Sequence, residues 1–261
     1  MWFQKWSGTG SYFSRGRLWL PGPAGGQQWI VAETRIWSEQ PPTPIVLDLP
    51  FRGRWMAQNS PARRIPSHGT HRFGVTYAID FVPVDASGRS APRTWRSWLA
   101  TEPPEIFVGF GADILAPIEG TVRLVHDGEA DHEARRSQPA LLVYALGQAS
   151  RVRGGAAAVA GNHVVLALGP SGPYVLLAHL RRGSVAVEVG EHVVAGSRIG
   201  ACGNSGNSTE PHVHVQVTDS VDWGSARGLP MVFRRPTGLG TWLPAEREVV
   251  AGGNAEPSDL R

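Results

Sequence analysis

Two histidines one residue apart, His212 and His214, follow the polar, glycine-rich run Gly203-Asn204-Ser205-Gly206-Asn207-Ser208-Thr209-Glu210-Pro211. On a strand, alternate residues share a face with Cα atoms about 6.6 Å apart, so both imidazoles can converge on one metal ion or one substrate. A His-x-His pair also arises by chance on sheets. Here the glycines of the preceding loop suit close approach of backbone to a ligand, and Pro211 stiffens its end. Asp80 sits in the apolar segment Tyr77-Ala78-Ile79-Asp80-Phe81. A carboxylate buried there is costly unless it is paired or metal-bound. His68 and His71 lie a short way upstream, and His179 closes the apolar run Tyr174-Val175-Leu176-Leu177-Ala178. His179 either caps a core or points into a site lined by a neighbouring strand. One carboxylate and two imidazoles form the kind of ligand set that catalytic zinc uses, with a fourth position left to water. The residue types therefore point to a His/Asp metal cluster. They decide neither which histidines ligate nor which bond is cut. His126, His132, His163 and His192 stand isolated and read as surface or satisfied core histidines.

These residues need strands to position them. Gly120-Thr121-Val122-Arg123-Leu124-Val125 alternates, as does the segment from His212 to Val217. His163 to Leu168 is a continuous apolar run. The turn Gly169-Pro170-Ser171-Gly172-Pro173 and a second run, Tyr174 to His179, make 163–179 a β-hairpin with a longer loop. Val185, Val187, Val189, Val193 and Ile199 continue as short strands broken by glycines. The pattern predicts an antiparallel sheet folded on itself. Residues 1–43 read as an N-terminal extension with two or three short strands or little order, 44–235 as the main domain, and 236–261 as a tail, frayed from about 245. Insertions at about 85–112 and 127–160 interrupt the main domain and shape a site or carry structure of their own. In the second, Glu129-Ala130-Asp131-His132-Glu133-Ala134-Arg135-Arg136 reads as a helix.

Composition narrows the classes. With 41% hydrophobic and 18% charged residues the chain is globular, and its 32 Gly and 21 Pro favour strands and turns over long helices. The net charge of +3, from 25 basic and 22 acidic residues, is too small to argue for nucleic acid, and the short basic clusters have no nucleic-acid motif beside them. It suits an anionic surface such as a bacterial wall, or simply a solvated face. The single cysteine, Cys202, excludes an intrachain disulfide. No run is long enough for a membrane span. The N-terminus lacks the apolar core of a signal peptide, so the expected location is cytoplasmic, or the cell envelope if another route exports the chain.

Residues 111–217 resemble the lysostaphin-type zinc metalloendopeptidases, peptidoglycan peptidases of the duplicated hybrid motif fold. The resemblance rests on four blocks in order: Leu115-Ala116-Pro117-Ile118-Glu119-Gly120-Thr121-Val122; Ala178-His179-Leu180 followed by Gly183-Ser184; Val189-Gly190-Glu191-His192-Val193 with Ala195-Gly196 and Ile199-Gly200; and Gly203 to His214. It implies a mainly β fold, an antiparallel β-sandwich or barrel-sandwich hybrid with a metal-binding groove and short helical insertions. It also implies one zinc per chain. A His and an Asp of an early motif and the second His of the late pair hold the metal, which carries over to Asp80 and His214. His179 and His212 then stand beside the metal's water and assist peptide hydrolysis. In the simplest members the first histidine lies four residues before the aspartate, where this chain has Thr76. The segment from Pro66 to Asp80 resembles a longer variant of the motif, with His68 as the first ligand and His71 as the alternative. The implied substrate is a peptide or peptidoglycan, cut in cross-bridges or stem peptides, often at glycyl bonds. Two other readings fit parts of the pattern. One is a non-catalytic member that binds wall peptide or activates another hydrolase. The other is a histidine phosphocarrier-like sandwich; biotin or lipoate attachment is excluded because Lys5 is the only lysine.

Overall fold

Valines spaced by two, each facing away from a polar neighbour, set the orientation of the strands that matter here. The computed structural model describes residues 3–7, 11–21, 27–37, 43–137, 155–236 and 238–253. Two units make up the chain, Met1–Thr43 and Pro44–Arg261. In the first, β1 (Phe3–Ser7), β2 (Ser11–Pro21) and β3 (Gln27–Trp37) form an antiparallel meander. Its second and third strands are eleven residues long, well beyond the short strands expected there.

The second unit begins with β4 (Ile45–Leu47), β5 (Gly53–Gln58) and β6 (Ile79–Pro83). It continues with β7 (Asp113–Leu115), β8 (Gly120–His126), β9 (Asn162–Ala167) and β10 (Tyr174–Leu180). The last strands are β11 (His192–Val193), β12 (Arg198–Ala201), β13 (Val213–Thr218), β14 (Met231–Arg234), β15 (Thr241–Trp242) and β16 (Val249–Gly252). The main sheet has eight strands in the order β11-β8-β9-β10-β13-β6-β5-β16, every neighbour antiparallel. A β12-β7 pair and a β15-β14-β4 sheet complete the unit. The fold is mainly β, as expected, with few short helices. Among the described residues no pairing closes the large sheet into a barrel.

Period-two alternation gives the central strands two faces. Val213, Val215 and Val217 of β13, Val175 and Leu177 of β10, and Ile79 and Phe81 of β6 enter the main core with Leu47, Ile114, Ile199 and Phe233 of the smaller sheets. Burying side chains of this size stabilises the fold by about 1.5–3 kcal/mol each. The opposite face carries His214 and Gln216 of β13 and Asp80 of β6. The functional groups therefore project from the side of the sheet that turns away from the main core.

The first insertion holds a short helix, Arg96–Leu99, and a 3-10 turn, Pro104–Ile106. The 129–136 segment, expected as a helix, is not helical. Its polar groups are drawn outward to other segments instead of pairing along a helix face. Ala134 bridges Glu102. Arg136 grips the buried Glu102 carboxylate through Nε at 2.8 Å and Nη2 at 2.7 Å. Asp131 accepts the backbone N–H groups of Asn204 and Arg182 at 2.7 and 3.0 Å. Residues 138–154 lie outside the described residues, and the insertion ends in the helix Gly155–Ala160. Within 236–261, read from composition as a tail, β15 pairs with β14 and β16 pairs with β5. No helix among the described residues is long and apolar enough to cross a membrane.

Candidate metal centre

Strand register brings the first groups together. His214 on β13 lies directly opposite Asp80 on β6 and Ala178 on β10. His214 Nδ1 is 2.8 Å from Asp80 Oδ1. His68 arrives from the loop before β6, with Nε2 3.1 Å from Asp80 Oδ2. Ligand atoms of His68, Asp80 and His214 all lie within 4.8 Å of one another, and among the described residues no other group of this kind occurs. His71, the alternative, is turned away: its Nδ1 is 3.1 Å from Thr76 Oγ1 at the surface.

Hydrogen bonds beyond this group set which nitrogen of each ring carries its proton. Gln216 Nε2 donates to the Phe73 carbonyl at 3.0 Å, so its Oε1 faces His214 Nε2 at 2.9 Å and accepts that N–H. The lone pair of His214 Nδ1 is thereby aimed at the Asp80 carboxylate. Ser67 acts likewise for His68. Its hydroxyl donates to the Val75 carbonyl and accepts His68 Nδ1–H, both at 3.0 Å, leaving the His68 Nε2 lone pair toward Asp80. Two imidazole nitrogens and a carboxylate facing one another in one buried place need a proton or a metal ion between them. Two imidazole nitrogens and a carboxylate oxygen are a donor set that zinc accepts, so the residues fit the metal. Asn59 Nδ2 donates to Asp80 Oδ2 at 2.7 Å and orients the carboxylate.

His179 and His212 stand beside this group with ring centroids 4.6 Å apart. His212 Nδ1 donates to the Glu210 carbonyl at 2.8 Å, and its Nε2 is 3.7 Å from Asp80 Oδ1. Ser208 Oγ lies 3.0 Å from the same Nδ1. His179 Nδ1 donates to the Ser205 carbonyl at 2.9 Å. Both rings therefore keep Nε2 as an acceptor.

A β-bulge delivers His179. Ala178 pairs with His163 and Leu180 with Asn162, which leaves His179 without a partner on β9. Its φ is 63°, a left-handed conformation that costs energy for a side chain with a Cβ. Continued alternation after Val175 and Leu177 would have sent His179 into the core. The extra residue puts Leu180 there instead and leaves His179 on the groove face.

Burial acts to raise the pKa of Asp80, but the charges of His68 and His212 and the hydrogen bonds from His214 and His68 together hold it well below the carboxylate range. Burial acts to lower His214, and the Asp80 hydrogen bond and charge, helped by Gln216, outweigh it and raise the pKa. His179 moves the other way. Burial, then the neighbouring His212 and His214, push it well below the ordinary value, so it is neutral at pH 7.

Residues 126–223 match the model of peptidase family M23. This part of the chain is similar to peptidase family M23. The matched stretch contains His179, His212 and His214; His68 and Asp80 lie before it, and it is the pairing of β6 with β13 that brings Asp80 to these histidines. No curated protein matches the chain. Solved structures similar to it include the catalytic domain of the antimicrobial peptidase lysostaphin from Staphylococcus simulans, 20% identical over 58% of this chain and 74% of that one, TM-score 0.31. A zinc-containing peptidase from Vibrio cholerae is 16% identical over 79% of this chain and 53% of its own, TM-score 0.32. Helicobacter pylori Csd3 is 14% identical over 93% of this chain and 46% of its own, TM-score 0.36. The chain thus spans about half the length of the last two.

Sequence reasoning passed over Asn59, Ser67 and Gln216 in this site. Gln216 was within reach, because it continues the two-residue period of His212 and His214. Ser67 and Asn59 carried no such signal. Of the histidines read as isolated, His126 and His163 stack on each other with centroids 5.5 Å apart, and His163 meets Trp223 at 5.0 Å. His132 Nε2 donates to the Gly206 carbonyl and His192 pairs with Glu119, each at 3.0 Å.

Proposed function

We propose that this chain is a zinc-dependent endopeptidase that hydrolyses peptide bonds of bacterial wall peptides, in cross-bridges or stem peptides. The observation that carries the reading is the meeting, in one groove, of the His68-Asp80-His214 group with two further imidazoles whose Nε2 atoms are held as acceptors. The substrate class rests on the family.

In this reading His68 Nε2, an Asp80 oxygen and His214 Nδ1 hold one zinc ion per chain. When bound, zinc supplies Lewis-acid polarisation of a carbonyl oxygen and makes hydroxide available near neutral pH. His179 and His212 handle the protons. His179 is neutral at pH 7, and its Nε2 accepts a proton from the attacking water and returns it to the departing amine. His212 Nε2 accepts a hydrogen bond from the water and orients it for attack. The Ser205 and Glu210 carbonyls keep both rings in register by holding their Nδ1–H groups. Gln216, Ser67 and Asn59 keep the ligand atoms aimed.

The test is metal content and hydrolysis measured together. Purified protein is expected to carry about one zinc per chain by elemental analysis and to release peptide fragments from wall preparations. His214→Ala should lose the metal. His212→Ala should keep it and lose about 100- to 10,000-fold in turnover, the usual worth of a positioned acid–base group. Protein that binds no zinc at neutral pH sinks the reading. Zinc binding without hydrolysis of any wall substrate assigns the chain to wall binding instead.

A further inference from the structure

The groove holding the five site residues has an apolar stretch that catalysis leaves unused. On β10, Ala178 lies opposite His214 and Leu176 lies opposite Gln216. Leu176 is thus one two-residue step, about 6.6 Å, along the strand from the histidines. Phe73 sits over the same point, since its carbonyl takes the Gln216 amide. Gly74 explains how the segment comes so close. A Cβ there would stand 2.4 Å from Thr218 Cγ2, and the φ of 75° is one a side chain rarely adopts. Trp223 and Ala160 pack with Leu176 and Ala178 in one apolar cluster, with Phe73 against it, and all of them line the groove. The helix end carrying Ala160 is pinned by the Asn207 N–H bond to the Val159 carbonyl at 2.8 Å.

Gln216, which stands opposite Leu176, is already engaged. Gln216 donates to Phe73 and accepts from His214, so it offers nothing to a polar substrate side chain. A polar group set against Phe73, Leu176 and Trp223 gains no partner from Gln216, whereas an apolar group adds contact with the edges these side chains show to the groove; Asn207 and Thr209 line another part of it. Glycine leaves that surface uncovered.

We infer that the site selects a substrate residue with an apolar side chain next to the scissile bond, seated against Phe73, Leu176 and Trp223, and discriminates against glycine at that position. The inference rests on the peptidase reading and adds the substrate class. One methylene in an apolar pocket changes selectivity by about 10- to 200-fold, so leucine or valine should exceed glycine by at least about tenfold in kcat/KM.

The experiment uses zinc-loaded full chain and two peptide series, varying the residue on either side of the cut bond through Gly, Ala, Val and Leu. One series is expected to rise from glycine to the larger apolar residues. The same order should appear in equilibrium binding to His212→Ala, where turnover is removed. Leu176→Ser should narrow the leucine-to-glycine ratio without changing zinc content; its thermal midpoint is checked alongside, and the wild-type series decides the matter if that variant fails to fold. Hydrolysis in which glycine equals or exceeds leucine on both sides overturns the inference and leaves the peptidase reading standing. Failure to cut any peptide or wall preparation overturns both.

Discussion

Gln216 illustrates how one residue outside the ligand group decides what the group can do. Its amide is turned by the Phe73 carbonyl, and that turn determines which nitrogen of His214 faces Asp80. Outer hydrogen-bond partners of this kind are typically worth 10- to 100-fold in metal affinity. Gln216→Leu is therefore expected to weaken zinc binding by about that factor, read in competition with a chelator, while saturating zinc restores most turnover. The same assay separates the two candidate first ligands. His68→Ala should lose zinc and His71→Ala should keep it, because His68 Nε2 lies 3.1 Å from Asp80 whereas His71 is bonded to Thr76 at the surface. Retention of zinc by His68→Ala would reverse the assignment.

Among the elements, the alternation of β13 was legible in the sequence and correctly implied that His212 and His214 share a face. The hairpin of β9 and β10 was legible for the same reason. The side to which His179 points was not, because a bulge adds one residue and reverses the alternation, and no residue type in Leu177-Ala178-His179-Leu180 announces it. The segment Arg72–Tyr77 is another element shaped by tertiary contact. It is a 3-10 stretch whose Phe73 and Gly74 take left-handed angles so that it can lie on β13. Gly74→Ala should destabilise the fold by about 1–3 kcal/mol, through the strained angle and the clash with Thr218, and should weaken zinc binding by displacing the Gln216 anchor. Urea unfolding and chelator competition measure the two effects, and wild-type values in both would remove the segment from the account. The 129–136 stretch shows the opposite failure. Its charges suit a helix locally, yet the buried Glu102 captures Arg136 and the 203–204 turn captures Asp131.

At the scale of the whole molecule, His163 ties stability to pH outside the metal group. It lies between the sheet and Trp223, and burial, followed by the charge of His126, lowers its pKa from the ordinary 6.5 despite the bond to the Gly161 carbonyl. Above 6.5 the ring is neutral in folded and unfolded chains alike. As pH falls from 6.5 through the lower folded value, the unfolded chain takes up a proton that the folded chain refuses, and stability is lost. Between pH 7 and pH 5, the wild-type chain should lose more of its urea midpoint than His163→Gln, measured with chelator present so that metal release does not contribute. Equal losses would show that His163 does not set this limb.

The sequence by itself determined the mainly β class, the likeness to a peptidase family, and the residue types of a His/Asp metal cluster. Those rest on local regularities: two-residue alternation, glycine punctuation, and a run of motif blocks read along the chain. The tertiary structure alone decided which groups meet. Asp80 reaches His214 only because β6 pairs with β13 across 134 positions of chain. His68 reaches Asp80, and His71 does not, because of how one loop folds back on β13. The tautomers of four imidazoles depend on carbonyls, hydroxyls and an amide supplied by other segments. Contacts between distant residues are set by packing and register over the whole sheet, and no window of neighbouring residues contains that information.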